Sequence, residues 1–382
     1  MSQFYNFSSG SSGVLNINSE TNFSPTDASC SGTAGASSFP ATISVSAGDM
    51  LLIHQTRGTS ANKYEIVQVS SYSSGTVNLV NPLVNTYTDN GNSQAQVIKL
   101  PQYSAVNITS TLNGKAWDGN VGGIIPILCS GKCSITGTVN LAGKGFRGGA
   151  GIYTLNHSGT VYAYCGEGTG GASARQNTAN GNGGGADGST SNGSSYTTTG
   201  GGAGGGNGTA GENGEDSTSH TSPQALGGVT TGNDTLTEAP LGGGGGGPVR
   251  NTPGPLSTGG IGGGLFIVFA DEFDCSSGTI NLSGTNGQGY SDTGQYEGAG
   301  AGSGGSFLLI SRKANIGTNR INLKGGIGGA PRPEDQKGGD GGKGRFRAQV
   351  CSLTGSLSSD YYGSYSTSIG GHSFCGIYGG ML

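Results

Sequence analysis

Six consecutive glycines at residues 242–247 constrain the fold more than any other feature of this sequence. They belong to a chain of 382 residues that contains 81 glycines, roughly three times the usual share of about 7%. Only 10 of these glycines lie before residue 122, so the composition changes near Trp117. A weakly charged chain of this composition either orders itself through its own backbone N–H and C=O groups or aggregates.

Three interpretations of the glycine run compete. A flexible linker is disfavoured because linkers lack ordered apolar residues such as Phe146, Ile152 and Leu241. A phosphate-binding loop is disfavoured because the G-x-G-x-x-G match at residues 300–305 is expected by chance at this glycine density and runs into a strand instead of opening a helix. The third interpretation is a polyglycine II helix, which is extended, has three residues per turn and bonds only to neighbouring chains. It is favoured because only glycine fits when such chains pack on all sides. The sequence therefore predicts structural rods, with one formed by Gly242, Gly243, Gly244, Gly245, Gly246 and Gly247.

An internal repeat gives the second constraint. Three segments share the order Gly-Gly, apolar strand, polar turn and a second strand close to T-[VI]-N-L: "GGIIPILCSGKCSITGTVNLAGKG" from residue 122, "GGLFIVFADEFDCSSGTINLSGTNG" from residue 263 and "GGSFLLISRKANIGTNRINLKGGIG" from residue 304. A degenerate fourth copy begins at residue 341. Each copy is predicted to be a β-hairpin that buries its apolar side only by stacking on its neighbours.

The first two copies are separated by a glycine-rich insertion at residues 145–262, whose ends the repeat holds close together. The predicted fold class is therefore all-β: a small N-terminal β sandwich or barrel, followed by a repeated β-hairpin scaffold that carries a polyglycine II helix bundle. The predicted domains are an arm at residues 1–40, a small β domain at 41–115, the scaffold at 116–352 and a Tyr/Gly-rich tail at 353–382.

The entry "AWDGNVGG", the exit "GKGFRGG" and the repeats resemble the glycine-rich tip adhesins of T-even-like phage tail fibres, which form polyglycine II sandwiches. They also resemble glycine-rich microbial surface proteins and, more distantly, the glycine-rich ectodomain of anaplastic lymphoma kinase receptors. The resemblance covers residues 116–350 and is one of pattern. It implies a bundle of polyglycine II helices and an adhesive role, and residues 41–115 have no counterpart in it.

Charge and hydropathy exclude several functional classes. The net charge of −4 and the scattered Lys and Arg residues argue against nucleic acid as a partner. No apolar run has the length of a membrane span, which predicts no membrane insertion. The N-terminal sequence lacks the basic and apolar regions of a secretory signal, so we expect a protein that is made and assembled inside a cell, unless a signal has been trimmed.

Catalytic patterns are not found in the sequence, so we expect no enzymatic activity and no cofactor. His54 follows an apolar strand and is predicted to be a core residue. The acidic residues Asp271, Glu272 and Asp274 are predicted to form a solubilising turn rather than a catalytic or Ca²⁺ site. For Cys129 and Cys133, the alternatives are a disulfide bond across a tight turn and two buried free thiols.

The long polar excursions of the glycine-rich region are the predicted recognition loops, because binding residues concentrate on loops held by a rigid scaffold and Tyr with Ser, Gly and Asn is typical of adaptable binding surfaces. The candidate residues are Tyr196, Thr198, His220, Tyr290 and Tyr296. We expect a structural adhesion protein on a virion, as a tail-fibre or tail-tip component that binds a host-surface glycan or protein. The alternative is a homo-oligomer or polymer that forms an extracellular filament or cell-surface layer.

Overall fold

The computed structural model describes residues 8–153, 159–177, 181, 183, 185, 187–190, 200–215, 224–250, 255–289, 297–331 and 336–369. All regular secondary structure in these residues is β, which confirms the all-β class. The strands are β1 (Val14–Ile17), β2 (Thr21–Asn22), β3 (Asp27–Ser29), β4 (Ser38–Pro40), β5 (Met50–Arg57), β6 (Tyr64–Ser73), β7 (Thr76–Leu79), β8 (Gln94–Leu100), β9 (Gln102–Tyr103), β10 (Ala105–Ile108), β11 (Thr111–Asn113), β12 (Ile124–Cys129), β13 (Lys132–Ile135), β14 (Thr138–Asn140), β15 (Ile152–Tyr153), β16 (Gly159–Tyr162), β17 (Asp187–Thr190), β18 (Val249–Arg250), β19 (Leu265–Asp274), β20 (Thr279–Asn281), β21 (Ser306–Thr318), β22 (Ile321–Asn322), β23 (Arg345–Ser356) and β24 (Ser364–Ile369).

The repeat units are arches, and the prediction of β-hairpins was wrong. In a hairpin the two strands of a unit pair with each other, but β19 pairs with β21 and β21 with β23, while β20 pairs with β22, always in parallel. The physical reason is that both strands of a unit turn apolar side chains toward one shared core. They therefore face each other across that core and form their hydrogen bonds with the equivalent strands of neighbouring units.

The equivalent strands form two parallel sheets. The first sheet has the order β1-β10-β13-β19-β21-β23-β24, with β12 pairing to β19 and β9, and the second has the order β2-β11-β14-β20-β22. Parallel pairing in register places like residues above one another. Phe266, Phe307, Phe346 and Tyr365 form a stack with ring centroids 5.0–5.2 Å apart, and all three phenylalanines are fully buried.

A second column of like residues, asparagines, follows the other sheet. Asn113, Asn140, Asn281 and Asn322 are paired in register. Asn140 Nδ2 donates to Asn113 Oδ1 at 3.0 Å, and Asn322 Nδ2 donates to Asn281 Oδ1 at 3.1 Å. The Asn of the T-[VI]-N-L pattern therefore links successive units.

The N-terminal residues contribute two further units to these sheets. The sequences "VLNI" and "TN" of β1 and β2 lie in register with "AVNI" and "TLN" of β10 and β11, which in turn pair with β13 and β14. Residues 14–22 thus pair within the sheets instead of forming a separate arm, and 105–113 belong to the scaffold instead of the small β domain. These units were not recognised in the sequence because their strands are short and because their spacing differs from the 41-residue spacing of the later copies.

The small β domain is a six-stranded antiparallel sheet with the order β3-β8-β5-β6-β7-β4. One face covers its own core around Leu51, Ile53 and Val97. The opposite face, with Leu52 and Ile98, packs against the outer surface of the first parallel sheet, where Ile267 lies. Strand β5 is consequently buried on both faces.

The glycine-rich segments form rods that project from one end of the parallel sheets. Described rods are residues 145–151, 163–168, 200–207, 208–215, 224–231, 241–247, 258–264, 284–289, 297–305, 325–331 and 336–344. Several lead directly into a strand, as 258–264 leads into β19 and 297–305 into β21. Each arch is therefore continued by rods at the same end of the two sheets.

The amides of residues 242–247 donate in turn to different neighbouring rods. The acceptors, in chain order, are Gly263 O, Ser303 Oγ, Glu167 O, Gly260 O, Ala203 O and Tyr164 O, at 2.8–3.0 Å. In two of the three pairs, residues three apart donate to the same rod: the first and fourth donate to 258–264, and the third and sixth to 163–168. Every amide in the run has a partner, so the run is not a free spacer. The period of three agrees with the polyglycine II interpretation, which stays a prediction.

Glycine is required in this run because neighbouring backbones occupy the space of a side chain. A Cβ at Gly244 would lie closer than 3.0 Å to the carbonyl group of Arg147, and one at Gly245 would overlap the carbonyl group of Gly300. In each case the obstacle is backbone that is itself hydrogen bonded, so it has no low-cost way to move.

We expect Gly244→Val to destabilise the protein by more than about 3 kcal/mol, because it forces a branched side chain into a space that excludes even a Cβ. The matched control is Ala210→Val, at an exposed position of another rod, where a change within about 0.5 kcal/mol is expected. Urea denaturation of both variants measures the difference. Equal stability of the two variants would contradict the tight packing of the rods.

Candidate recognition end of the glycine-rich rods

Some neighbouring rods run in opposite directions, one toward the parallel sheets and the other away from them. Rod 241–247 is antiparallel to rod 258–264, because Gly242 N donates to Gly263 O and Gly245 N to Gly260 O. The 264 end of that second rod continues into β19. Residues near 247 and 258 therefore lie at the far end, away from the two sheets.

The far ends of the other rods meet at the same place. Their backbone hydrogen bonds form a connected series: Val249 N to Gly200 O at 3.1 Å, Gly201 N to Glu215 O at 2.9 Å, Glu215 N to Lys337 O at 2.9 Å, Gly298 N to Gln336 O at 2.9 Å, Ala299 N to Gln288 O at 2.8 Å and Gln288 N to Thr258 O at 3.1 Å. Strand β15 joins the same end by pairing with β18. We call this set of residues the distal end.

The predicted recognition segments border the distal end in the sequence. Tyr196 and Thr198 follow strand β17 and precede Gly200, His220 follows Glu215, and Tyr290 and Tyr296 lie between Gln288 and Gly298. These five candidate residues lie outside the described residues. Four described residues that border these segments, Gly200, Glu215, Gln288 and Gly298, belong to the distal end.

An ion cluster around the buried carboxylate of Glu167 attaches the rods to the small β domain. Glu167, in rod 163–168, is fully buried and accepts hydrogen bonds from Arg57 Nη1 and, at 2.9 Å, from Arg147 Nε. Arg57 lies on β5 and its Nε donates to Asn92 O at 3.1 Å. The hydrogen bond from Arg147 to Glu167 raises the pKa of the Arg147 guanidinium. A buried carboxylate between two guanidiniums fixes the position of the rod, because removing one partner leaves an uncompensated buried charge.

His54 connects the same two parts of the molecule without a charge. Its Nε2 donates to Ala239 O at 2.8 Å, and its Nδ1 accepts from the hydroxyl of Thr56 at 3.0 Å. The ring is completely buried, and this burial lowers the pKa of His54 to about 4. The prediction that His54 is a core residue is confirmed.

Arg345, the first residue of β23, holds a loop near the sheet end of the rods. Its Nε donates to Thr231 O at 2.7 Å, and its Nη1 pairs with Asp234 Oδ1 at 2.5 Å. Hydrogen bonding from Ser364, together with the charge of Arg345, lowers the pKa of Asp234. Burial lowers the pKa of Arg345 itself. The loop therefore stays on the outer surface of the first parallel sheet.

The acidic residues near position 272 lie on a strand, and the prediction that they form a turn was wrong. They form the C-terminal end of β19, which is ten residues long and pairs with β21 as far as Asp274. Asp271 binds Arg312 Nε at 2.8 Å, and Asp274 binds Lys132 Nζ at 2.9 Å. The hydrogen bond from Lys132 lowers the pKa of Asp274. The carboxylates therefore take part in ion pairs along the sheet.

The disulfide alternative for Cys129 and Cys133 is not realised. Both are free and fully buried thiols, on β12 and β13. Burial raises the pKa of Cys133 and of Cys275, the latter to about 12. Both cysteines of the pair face the apolar core between the parallel sheets, where a thiol behaves as a small apolar side chain. Cys351 is disulfide-bonded.

Within the described ranges, no group of His, Cys, Asp and Glu side chains is arranged to hold a metal ion. Over the same part of the chain, no helix is long and apolar enough to cross a membrane.

Sequence reasoning missed the residues that connect the rods to the rest of the molecule. Glu167 is separated by 110 positions from Arg57 and by 20 from Arg147. Asn207 and Ser303, both fully buried within the rods, were also missed. The available signal was their position: each is a polar residue that interrupts a segment in which glycine or alanine is otherwise the rule.

Comparison with known proteins gives a distant structural likeness. No protein-family model matches the chain, and no curated protein matches it. Among solved structures, the chain is similar to the Gp54 tailspike of Acinetobacter baumannii bacteriophage AP22, solved in complex with A. baumannii capsular saccharide. The identity is 11% and the TM-score 0.19, over 94% of this chain and 63% of the tailspike chain. The chain thus spans less than two thirds of that structure, and at this TM-score the likeness defines neither fold nor function.

The buried His54 predicts a pH dependence of stability. Its folded pKa of about 4 lies below the unfolded value of about 6.5, so the unfolded state binds the proton first as the pH falls. Stability is then unaffected by His54 above about pH 6.5 and decreases from there to about pH 4, by about 3 kcal/mol in total.

His54→Gln keeps a donor for Ala239 O but does not titrate. We expect the free energy of unfolding of the variant to depend less on pH between 4 and 6.5 than that of the unmodified protein. Urea denaturation at pH 4.5, 5.5 and 7.0 measures this. Parallel pH profiles would show that His54 does not cause the dependence.

Proposed function

We propose that the protein is a non-enzymatic adhesin on the surface of a virion, as a tail-fibre or tail-tip component that binds a host-surface glycan or protein. The observation that carries this proposal is the convergence of the rod ends at the distal end. Segments containing Tyr196, Thr198, His220, Tyr290 and Tyr296 border described residues of the distal end. A set of Tyr-, Ser- and Thr-containing segments held at one end of a rigid scaffold is the arrangement that binding sites on loops use.

We further propose that the rods are polyglycine II helices packed as a lattice. Rod 241–247 supports this, since it donates to rods 258–264, 163–168 and 200–207 and accepts from rods 145–151 and 297–305. It also accepts from Gly183 at 2.9 Å. Neighbours on all sides are what a helix with three residues per turn and no internal hydrogen bonds requires.

The scaffold would contribute to binding by reducing the entropic cost of ordering the recognition segments. Segments 216–223 and 290–296 are flanked on both sides by rods with hydrogen-bonded amides, and segment 191–199 is flanked by β17 and rod 200–207. The end points of the segments are therefore fixed before a ligand arrives. Pre-organisation of this kind raises affinity without adding contacts.

The ion pairs of the acidic residues support a non-enzymatic role. A glycoside hydrolase needs one protonated and one ionised carboxyl group on either side of a sugar. Asp271 and Asp274 are instead held by Arg312 and Lys132, and the pKa of Asp274 is lowered. Both carboxyl groups are therefore engaged in ion pairs along the sheet.

Replacement of residues 191–199, 216–223 and 290–296 by Gly/Ser sequences of equal length tests the adhesion proposal. We expect loss of attachment to host cells with an unchanged thermal unfolding midpoint, since the rods that flank these segments remain. The control is Ser276→Ala with Ser277→Ala, in the turn between β19 and β20 at the opposite end of the arches. Unchanged attachment of the replaced protein would overturn the proposal.

A filament subunit is the second candidate, and the edges of the first parallel sheet favour it. Among the described residues this sheet ends in β1 on one side and β24 on the other, and Val14 on β1 is 52% exposed. An open edge presents backbone groups that pair with another chain. A homo-oligomer is compatible with both candidates.

Negative-stain electron microscopy of the purified protein separates the two candidates. We expect discrete particles of uniform size for a virion adhesin. Filaments that lengthen with protein concentration would instead establish the second candidate.

A further inference from the structure

The register of the central rods is a problem that glycine alone does not solve. Between two polyglycine rods, a slide by three residues restores the same hydrogen bonds, because residues three apart face the same neighbour. Register is weakly specified wherever side chains do not mark it. A slide of three residues would move a rod end by about 9 Å, so the position of every distal segment depends on a feature other than glycine.

The register of rod 200–207 is a clear case of this problem, because no strand at its ends fixes it. Its sequence is GGGAGGGN, and neither end continues into a strand of the two parallel sheets. Its backbone is bonded to rods 208–215, 241–247 and 297–305. By comparison, rod 297–305 continues into β21, and Leu241 anchors rod 241–247 in an apolar cluster.

Ala203 opposes movement of rod 200–207 toward the sheets. A slide of three residues in that direction would carry Ala203 to the place of Gly206, where a Cβ would overlap the carbonyl group of Gly228. Ala203 gives no corresponding obstacle to a slide toward the distal end.

Asn207 opposes movement toward the distal end. Its Nδ2 donates to Gly304 O at 2.8 Å and to Ser306 Oγ at 3.3 Å, and both acceptors belong to the segment that leads into and begins β21. A slide toward the distal end would break both bonds. Asn207 is fully buried, and its Oδ1 has no hydrogen-bond partner, which costs free energy. Because the side chain of Asn207 carries this cost, its role is better explained by the register that it fixes than by added stability.

Ser303 links the same rods at the neighbouring position. Its hydroxyl accepts from Gly243 N at 2.8 Å and donates to Gly206 O at 3.1 Å. One repeat further along, the same two rods are joined directly by Gly246 N and Ala203 O at 2.9 Å. Between these two rods, the hydroxyl therefore replaces a direct backbone bond at the position of Gly243. This makes positions three residues apart along the rods inequivalent.

We propose that Asn207 and Ser303 are positioning residues that select one register of rod 200–207 among those that its glycines allow. Together with Ala203 they leave a single alignment that satisfies every side chain. Their role is to fix where the rod ends, and so where the chain reaches the distal end. The consequence for attachment rests on the proposed adhesive function, whereas the register itself does not.

Asn207→Gly tests the proposal, with Ala301→Gly as the matched control. The control introduces a glycine at another buried rod position, and no side-chain hydrogen bond is lost because alanine makes none. We expect Asn207→Gly to fold with an unfolding midpoint close to that of the control. Its crystal structure should show rod 200–207 shifted by three residues or in two registers. Hydrogen exchange followed by mass spectrometry should show at least tenfold faster exchange confined to residues 200–207.

Three results would overturn the proposal: the native register in Asn207→Gly, exchange equal to that of the control, or failure of this variant to fold while the control folds. The last result would show that Asn207 supplies stability and not register. Ser303→Gly gives an independent measurement, because a direct bond from Gly243 N to Gly206 O then replaces the hydroxyl bridge. It should show the same faster exchange, weaker than in Asn207→Gly. If register changes while attachment does not, the adhesive function of the distal end fails but the positioning role stands.

Discussion

Backbone hydrogen bonding between chains too close to admit a Cβ is the interaction on which this structure depends. In most folds, side chains separate the backbones and an apolar core provides the stabilisation. In the rods, the amide and carbonyl groups themselves hold the chains, as the partners of Gly242 and Gly245 show. The requirement for glycine follows from this closeness, and the low apolar content of the chain follows from the small part that a core plays in the rods.

The two parallel sheets solve the opposite problem of where to place apolar side chains. The stack of Phe266, Phe307 and Phe346 and the column of asparagines both arise because pairing in register superimposes equivalent positions of a repeat. The rods and the sheets are two parts of the same arches, one ordered by backbone contacts and the other by side-chain contacts. The buried Glu167, bound by Arg57 and Arg147, attaches the small β domain to the rods.

The sequence predicted the all-β class, the repeat and the need for glycine, because each depends on patterns that are local or periodic. It did not predict how the strands pair: "GTINL" after a short turn is compatible with a hairpin and with an arch, and only the position of the shared core decides between them. The early units at 14–22 and 105–113 were missed because two or three alternating residues carry little signal. Glu167, Asn207 and Ser303 were missed because their partners lie far away in sequence. The five candidate recognition residues remain predictions.

The parallel pairing also determines when the fold can be completed during synthesis. Strand β13 obtains its partner β19 only after the long insertion, because Cys133 pairs with Phe273. At translation rates of about 5–20 residues per second, the intervening 140 positions correspond to about 7–28 s. During this time β13 is an unpaired edge with apolar residues on one face, whereas β21 and β23 follow β19 at short intervals. The units encoded before the insertion are therefore the part of the nascent chain most in need of protection from aggregation.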